Sequence, residues 1–301
     1  MIILFPSEPF SPKEVDSSFK SEYEAAKLVG FEVHLFDHDE FVKNGEFKSS
    51  LLKKDILPKE RERLILRSWM LKDEQYKAMF SKLIWLSYEL FNMPDQYTNC
   101  HHFPEYYTFI KPFTSKSIWG PVWHKEVLEL TRKYLGDNDL IIKDYVKSEK
   151  GNPDLFILKK ELSIDEFQER IEKFVEARGK LFNKGLVFKV VEKLKKYEEQ
   201  TNEWRMFFLN KKLVTCSLNS ENLIEVKNPS KEMITICESI TRKWIDSCFF
   251  TIDIAEKEDG SWMILEMGDG QVSGLAAQEE PIKFYNLMYN QLNEVEVTNK
   301  I

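Results

Sequence analysis

The amino-acid sequence predicts a mixed fold, with an α/β N-terminal part followed by a part of the α+β class. Residues 1–35 read as strand, helix and strand, the order from which parallel sheets are usually built. In the second half, helices alternate with hairpins, which indicates antiparallel sheets. The length of 301 residues suits two or three domains. We predict an N-terminal domain at 1–120 and two further lobes at 121–194 and 195–301.

Glycine is scarce and unevenly distributed along the chain. The sequence has 11 glycines in 301 residues, whereas about 7% is usual. Four of them, at positions 260, 268, 270 and 274, lie within fifteen residues. Neither GxGxxG nor GxxxxGK[ST] occurs, so the sequence excludes the simple dinucleotide-binding and P-loop classes.

Composition excludes further classes of protein. The 43 basic and 50 acidic residues give a net charge of −7, so nucleic acid is not expected as a main partner. The four cysteines form no CxxC pair and indicate free thiols in a reducing compartment. The sequence contains no apolar run of about 18 residues, and its start lacks the basic region of a signal peptide. We therefore expect a cytoplasmic protein that does not associate with membranes.

Apolar spacing and turn residues predict the N-terminal elements in order. They are a strand at 1–5, a helix at 19–29 that Gly30 ends, a strand at 31–35, a strand at 64–66 and a helix from 73 to 90. The first loop, residues 6–16, contains no glycine and is therefore not a pyrophosphate loop. Residues 94–121 are expected to be irregular and aromatic, with His101 and His102 exposed to solvent.

The elements of the second half follow from the same signals. They are a helix at 121–135, a strand at 140–147, a helix at 163–178, a strand at 186–191, a hairpin of 203–209 and 212–217, a helix at 230–247, a hairpin of 249–255 and 261–267, and a helix at 281–292. Ser163 and Glu166 form a capping box for the charged helix. Asn210 and Lys211 suit a hairpin turn.

The strongest local signal is Asp259-Gly260, the preferred two-residue hairpin turn, between two alternating strands. If these residues form the whole loop, Glu258 pairs with Ser261. Counting back along both strands then places Asp253 directly opposite Glu266, on the same face of the sheet.

Two carboxylates that face each other across a sheet destabilise it unless a positive charge lies between them. Oxygen ligands of this kind suit Mg²⁺ carrying a nucleotide phosphate. Asp253 and Glu266 are therefore candidate metal ligands, and Asp269 is a candidate third ligand. The alternative is a shifted register, in which both acids are solvated on the surface.

Basic residues interrupt three apolar strands. Alternation places Lys143 and Lys147 on one face of the strand at 140–147, while Lys189 and Arg205 interrupt two further strands. Each of these cations alone is equally well explained as a residue at a sheet edge whose charged end reaches solvent. Together with the acid pair, they predict a phosphate-binding site.

These motifs, taken in order, resemble the ATP-grasp enzymes, and especially the divergent clade named for two arginines and a lysine. The segments that carry the resemblance are FPSEPF, EYEAAKLVGFEV, LILRSWM, IIKDYVKS, VEKL, TNEWRMFFLNKK and EMGDGQVSGL. The resemblance covers nearly the whole chain. It implies an N-terminal Rossmann-like (pre-ATP-grasp) domain followed by a two-lobed ATP-grasp domain with antiparallel sheets, in which the first lobe is a lid and the second carries the metal-binding hairpin.

The resemblance also implies a role for each matching position. The implied ATP-binding residues are Lys143, Lys147, Lys189, Val191, Glu192, Leu194, Glu203 and Arg205, and the implied Mg²⁺ ligands are Asp253 and Glu266. The lysines would contact the phosphates, the 191–194 hinge the adenine, and Glu192 or Glu203 the ribose. Arg205 and Lys143 would be catalytic, with Arg205 at the γ-phosphate or the acyl-phosphate formed from it. The family's usual asparagine is replaced by Gly268, so Asp269 either takes its role or metal is held less tightly.

For substrates, the resemblance suggests Arg67, which interrupts an apolar strand, as an anchor for an anionic group. Its alternative is a structural salt bridge. Gly270 and Gln271, in the glycine-rich segment after Glu266, are expected at the flexible edge of the substrate pocket, although an ordinary turn would also explain that segment.

The implied activity is an ADP-forming ligase that uses ATP and Mg²⁺ to join a carboxylate to an amine through an acyl-phosphate. Peptides and proteins are among the candidate substrates. The first alternative is an ATP-binding assembly factor without ligase turnover, as the role of the clade's eukaryotic cell-division-cycle member in assembling a translation initiation factor suggests. The second is a nucleotidyltransferase that adenylylates Lys143, although the sequence KDYV there lacks the KxDG pattern.

Overall fold

The computed structural model describes residues 1–54, 61–121, 123–148 and 156–298. Its strands are β1 (Ile2–Glu8), β2 (Ser11–Val15), β3 (Glu32–Phe36), β4 (Glu62–Leu66), β5 (Tyr88–Leu90), β6 (Ser117–Gly120), β7 (Leu140–Asp144), β8 (Ile157–Leu158), β9 (Leu186–Val190), β10 (Lys196–Tyr197), β11 (Gln200–Thr201), β12 (Glu203–Leu209), β13 (Lys212–Leu218), β14 (Phe249–Glu256) and β15 (Trp262–Asp269). Its α-helices are α1 (Lys20–Val29), α2 (His38–Asn44), α3 (Asp73–Trp85), α4 (Pro94–His101), α5 (Phe103–Ile110), α6 (Lys125–Leu135), α7 (Ile164–Arg178), α8 (Lys231–Trp244) and α9 (Pro281–Thr298).

The N-terminal sheet is built around β1, which pairs in parallel with both β3 and β4, and β4 pairs in parallel with β5. The predicted strand, helix and strand are present, and Gly30 ends α1 in a left-handed conformation with φ 109°. The prediction that residues 6–16 form a plain loop is wrong. They include β2, which pairs antiparallel with the end of β1, and Phe10 at the tip has φ 69°.

Two predictions between residues 73 and 121 are wrong. Helix α3 ends at Trp85 because Ser87 adopts φ 68°, and residues 88–90 form β5 instead of a further helical turn. The segment expected to be irregular contains α4 and α5, and each of these helices has a proline in its first turn. Proline is well tolerated there because the first N–H groups of a helix have no partner within it.

The later strands form two four-stranded antiparallel sheets, in the orders β6-β9-β7-β8 and β13-β12-β14-β15, and a small antiparallel pair, β10-β11. The capping box of α7 is present, with the side chains of Ser163 and Glu166 each accepting from the other's backbone N–H. Asn210 and Lys211 both adopt positive φ, as their hairpin turn requires. The mixed α/β fold with antiparallel sheets is therefore confirmed.

One hydrophobic core joins the first sheet to the last one. It includes Ile3 and Phe5 of β1, Phe207 of β12, Phe249 of β14 and Phe284 of α9. The N-terminal sheet is thus packed against the sheet that carries the predicted acid pair. Strand β6 pairs with β9, so residues 117–120 belong to the same sheet as β7, β8 and β9. In the described part of the chain, no helix is long and apolar enough to cross a membrane.

Candidate active site

Asp253 of β14 and Glu266 of β15 are direct cross-strand partners, as the sequence predicts. One face of this sheet packs on the core shared with the N-terminal sheet, which we call the N-terminal core. This face carries Phe207, Phe249 and Asp253, since alternate residues of a strand share a face. On the other face, Met206 and Ile252 pack in a core that includes residues of α8.

The hairpin reaches this pairing by a different route from the predicted one. The Lys257 N–H donates to the carbonyl of Ser261 at 2.8 Å, so the loop has three residues and ends at Gly260, with φ 81°. This extra loop residue alone would shift the register by one position. A bulge between Asp253 and Ile254 leaves Leu265 without a cross-strand partner and restores the register. Two one-residue departures therefore cancel.

Cations from two different sheets contact this hairpin. Arg205 of β12 makes a bidentate ion pair with Asp253, with N···O distances of 2.8 and 2.6 Å. Lys143 of β7, in the opposing sheet, lies 2.8 Å from a carboxylate oxygen of Glu266. Lys189 of β9 donates to the carbonyl of the bulged residue Leu265 at 2.6 Å. The site therefore lies where the two antiparallel sheets meet.

Lys147 lies in the same group of charges. Part of its surface is exposed to solvent, but protein atoms surround much of the side chain. The resulting partial desolvation lowers the pKa of Lys147. Lys143 and Arg205 lower the pKa of Lys147 further, while Glu266 and Asp253 oppose them. For Arg205, burial works against the charged form, but the paired Asp253 raises its pKa overall. Among the described residues, these four cations lie around the carboxylates of Asp253 and Glu266, an arrangement that favours an anionic ligand.

Phe103, at the start of α5, forms an aromatic surface beneath two of these lysines. The ammonium nitrogens of Lys143 and Lys189 lie 5.9 and 4.9 Å from the centre of its ring. Sequence reasoning did not connect this residue with the lysines because it precedes Lys143 by 40 positions and Lys189 by 86, in a segment read as irregular. The two preceding histidines are buried, which corrects the expectation that they are solvated. His101 accepts from the Asp269 N–H at 3.4 Å, and His102 lies 3.0 Å from Asp73.

The predicted nucleotide hinge follows β9. The N–H of Val191 donates to the carbonyl of Asp139 at 2.9 Å, and Leu194 forms an isolated bridge with Lys257, which directly precedes the loop of the acidic hairpin. Glu192 is partly exposed between them. Glu203, at the start of β12, accepts a hydrogen bond from Thr201 at 2.6 Å. These positions lie at the end of the site away from the N-terminal core.

Asp269 is not brought to the acid pair. It lies three residues after Glu266 on the same strand, so its side chain points to the opposite face. There it is fully buried and accepts from the Asn92 side chain and from the Gln271 N–H at 2.9 Å. Burial raises its pKa to about 7, while the Asn92 and Gln271 hydrogen bonds oppose the shift. The prediction of Asp269 as a third metal ligand is therefore corrected.

The three predicted substrate residues also form buried structure. Arg67 pairs with Glu22, so its contacts are those of the structural salt bridge that the sequence left open. The carboxamide of Gln271 accepts from the Leu66 N–H and donates to the Tyr76 hydroxyl at 2.7 Å. Gly270 lies against Phe249, where an added Cβ would stand 2.8 Å from the ring. The segment is thus fixed by packing and hydrogen bonds, which corrects its expected role as a flexible pocket edge.

The remaining acid pair fits a magnesium–nucleotide complex in its donor chemistry. In the part of the chain that the structure describes, no group of three or more His, Cys, Asp or Glu side chains is arranged to hold a metal. Mg²⁺ is commonly bound by one or two carboxylates, with phosphate and water completing its shell. Asp253 and Glu266 would supply such carboxylates, and the surrounding cations would meet the phosphates.

Comparison with known families identifies the chain. Residues 133–286 match the family model of an ATP-grasp domain and make up just over half of the sequence. The matching family is family 3 of the clade named for two arginines and a lysine. The chain belongs to the ATP-grasp superfamily. Every cation and carboxylate described above except Arg67, Asp73 and Glu22 lies within the matched part of this ATP-grasp protein. No curated protein matches it.

Solved structures show the same ATP-grasp fold along the whole chain. D-cycloserine synthetase DcsG has a TM-score of 0.63 at 10% identity, covering 97% of this chain and 100% of its own. D-alanyl-alanine synthetase A from Vibrio cholerae has a TM-score of 0.61 at 9% identity, with 99% of each chain covered. The ligase PsnB, in complex with a minimal precursor, Mg and ADP, has a TM-score of 0.58 at 15% identity, covering 97% and 96%. At these identities the likeness concerns the fold.

Proposed function

We propose that this ATP-grasp protein is an ATP- and Mg²⁺-dependent ligase that joins a carboxylate to an amine through an acyl-phosphate and releases ADP. The observation that carries the proposal is the meeting of Lys143 and Lys189 from one sheet with Arg205, Asp253 and Glu266 from the other. Phosphoryl transfer needs charge neutralisation and in-line placement of the acceptor more than covalent help from the protein. These residues supply the first requirement.

The contacts suggest how the site changes when it binds a nucleotide. Asp253 and Glu266 would hold Mg²⁺, which neutralises the phosphate oxygens when bound. Lys143 and Arg205 would then be free to leave their carboxylates for phosphate oxygens. Lys147 and Lys189 would contact the same phosphates. Arg205 lies on the side nearest the N-terminal core and is assigned to the transferred group.

The adenine is assigned to the segment of residues 191–194. Because the Val191 N–H already donates to Asp139, its carbonyl and the backbone that follows would read the adenine edge. Glu192 or Glu203 would hold the ribose. We also propose that residues 117–120, whose strand β6 pairs with β9, belong to the lid lobe, and we otherwise keep the proposed lobes at 121–194 and 195–301.

The proposal includes two classes of acceptor, peptides and small amino acids. PsnB and the macrocyclase MdnC were solved with precursor peptides, whereas the Vibrio cholerae relative is a D-alanyl-alanine synthetase. Peptide and small amino-acid substrates both remain candidates for this chain. The amine or carboxylate would enter between the N-terminal sheet and the acidic hairpin.

A turnover experiment tests the proposal. The protein is incubated with ATP, Mg²⁺ and panels of small carboxylates, amines and short peptides, and ADP, AMP and phosphate are quantified. Release of ADP and phosphate that an acceptor stimulates, with the acyl-phosphate trapped by hydroxylamine, supports the ligase. AMP release, or an AMP adduct on Lys143, contradicts it. ATP binding without turnover across the panels would favour the assembly factor. Lys143→Met serves as the background for contaminating hydrolysis.

A further inference from the structure

We propose that Arg67 is a positioning residue of this site, which holds residues 270–274 so that the Gly274 carbonyl supports Arg205. The inference rests on the proposed function, because Arg205 is the group assigned to the transferred phosphate. The Arg67 side chain is 0% exposed, so it cannot anchor a substrate. A positioning role is compatible with this burial.

Two helices fix the guanidinium of Arg67. It donates to both oxygens of Glu22 on α1, at 2.9 and 3.0 Å. The hydroxyl of Tyr285 on α9 donates to the same carboxylate at 2.7 Å. A bidentate arginine–carboxylate pair has a fixed geometry, so the pairing with Glu22 also fixes the direction in which the remaining nitrogen, Nη1, donates.

That remaining nitrogen binds the segment after β15. Nη1 of Arg67 donates to the carbonyl of Gly270 and, at 2.8 Å, to that of Ser273. The next carbonyl along the chain, that of Gly274, accepts from Nη1 of Arg205 at 2.8 Å. Two arginines therefore hold consecutive peptide carbonyls, one from the N-terminal sheet and one from the active-site sheet.

Gly274 has open space on the side where a side chain would stand. A Cβ built on this glycine would find no atom within 4 Å, and the residue is exposed. The position of its carbonyl therefore follows that of Ser273, whose N–H and hydroxyl bind the Asp269 carbonyl and whose own carbonyl is held by Arg67. Without this carbonyl, Arg205 would lose the contact that orients its outer nitrogen, while its bidentate pair with Asp253 would remain.

A double-mutant cycle tests the coupling. Binding of Mg²⁺ with the non-hydrolysable ATP analogue AMPPNP is measured by calorimetry for wild type, Arg67→Lys, Arg205→Lys and the double variant. Lysine keeps the charge beside Glu22 but cannot bridge a carboxylate and two carbonyls. We expect Arg67→Lys to weaken binding about tenfold alone and less than about twofold in the Arg205→Lys background. The same loss in both backgrounds would overturn the proposal.

Arg63→Lys is the control, because Arg63 lies on β4, which Arg67 directly follows, and also donates to a backbone carbonyl, that of Phe91. It is expected to leave the analogue affinity unchanged. A loss equal to that of Arg67→Lys would show a general effect of the N-terminal sheet and contradict a specific role.

Hydrogen exchange of the ligand-free protein gives a readout that does not depend on nucleotide. Peptides covering residues 268–277 should exchange faster in Arg67→Lys than in wild type or Arg63→Lys. If Arg67→Lys does not fold, Tyr285→Phe removes one hydrogen bond from Glu22 and should show a smaller increase. Unchanged exchange in both variants would overturn the inference. A wild type that does not bind the analogue would refute the proposed function instead, and exchange would still decide the role of Arg67.

Discussion

Asp253 and Glu266 are direct cross-strand partners, yet the cations that pair with them come from different sheets. An arginine of the same sheet pairs with Asp253, and a lysine of the opposing sheet pairs with Glu266. The pair is thus stabilised in the ligand-free protein, although like charges facing across strands are unfavourable. Because both carboxylates are already held in ion pairs, a magnesium–nucleotide complex would replace existing contacts.

Replacing Lys143 tests the contribution of the opposing sheet. Lys143→Met removes the cation that is 4% exposed beside Glu266 and keeps a side chain of similar length. Loss of a charge-assisted contact to phosphate should weaken binding of the Mg²⁺–AMPPNP complex about 10- to 100-fold in calorimetry. Lys159→Met is the control, since Lys159 pairs with Asp139 on the exposed surface of the same lobe. Equal affinity of the two variants for the Mg²⁺–AMPPNP complex would show that Lys143 does not contribute to nucleotide binding.

The packing of the segment after β15 predicts a difference between two glycines. At Gly270, an added Cβ would lie within 2.8 to 2.9 Å of three atoms of the Phe249 ring, whereas at Gly274 it would meet nothing within 4 Å. Gly270→Ala should therefore lower the free energy of unfolding by about 1–3 kcal/mol through overpacking. Gly274→Ala should change it by less than about 0.5 kcal/mol. Denaturant unfolding measures both, and equal values would contradict the close packing of this segment.

The buried carboxyl of Asp269 predicts a pH dependence of stability. Burial raises its pKa from 3.8 to about 7, so the folded state keeps a proton that the unfolded state releases. Stability from this group is therefore full below about pH 4 and is lost as pH rises towards 7, by about 4 kcal/mol at most. Asp269→Asn removes this titration. The difference in unfolding free energy between wild type and variant should change across this window, and a constant difference would contradict the raised pKa.

The sequence predicted the acid pair correctly although its turn was misread. Alternation and an Asp-Gly turn indicated a hairpin, but local patterns do not distinguish a two-residue loop from a three-residue loop followed by a bulge. The carbonyl of the bulged residue Leu265 accepts from Lys189, a residue of another sheet, and such a contact is not visible in the local sequence. Lys143 and Arg205 were found because each breaks an apolar strand, which is a local signal.

The errors concern residues whose partners are distant in sequence. Asp269 looked like a ligand because it stands in a glycine cluster, but its partner Asn92 is 177 positions away. Arg67 pairs with Glu22 and with carbonyls more than 200 positions later. The segment at 94–121 was read as irregular because prolines and aromatic residues hide two short helices that packing against β15 stabilises. Such contacts follow from the tertiary fold and leave no periodic signal.

Binding of Mg²⁺ and nucleotide at the acid pair is the central claim, and one calorimetric comparison tests it most directly. The Mg²⁺–AMPPNP complex is titrated into wild type, Asp253→Asn and Asp259→Asn, the last being an exposed aspartate in the loop of the same hairpin. We predict saturable binding by wild type and Asp259→Asn and no detectable binding by Asp253→Asn, because the variant loses both a metal ligand and the partner of Arg205. Undiminished affinity in Asp253→Asn would contradict the account.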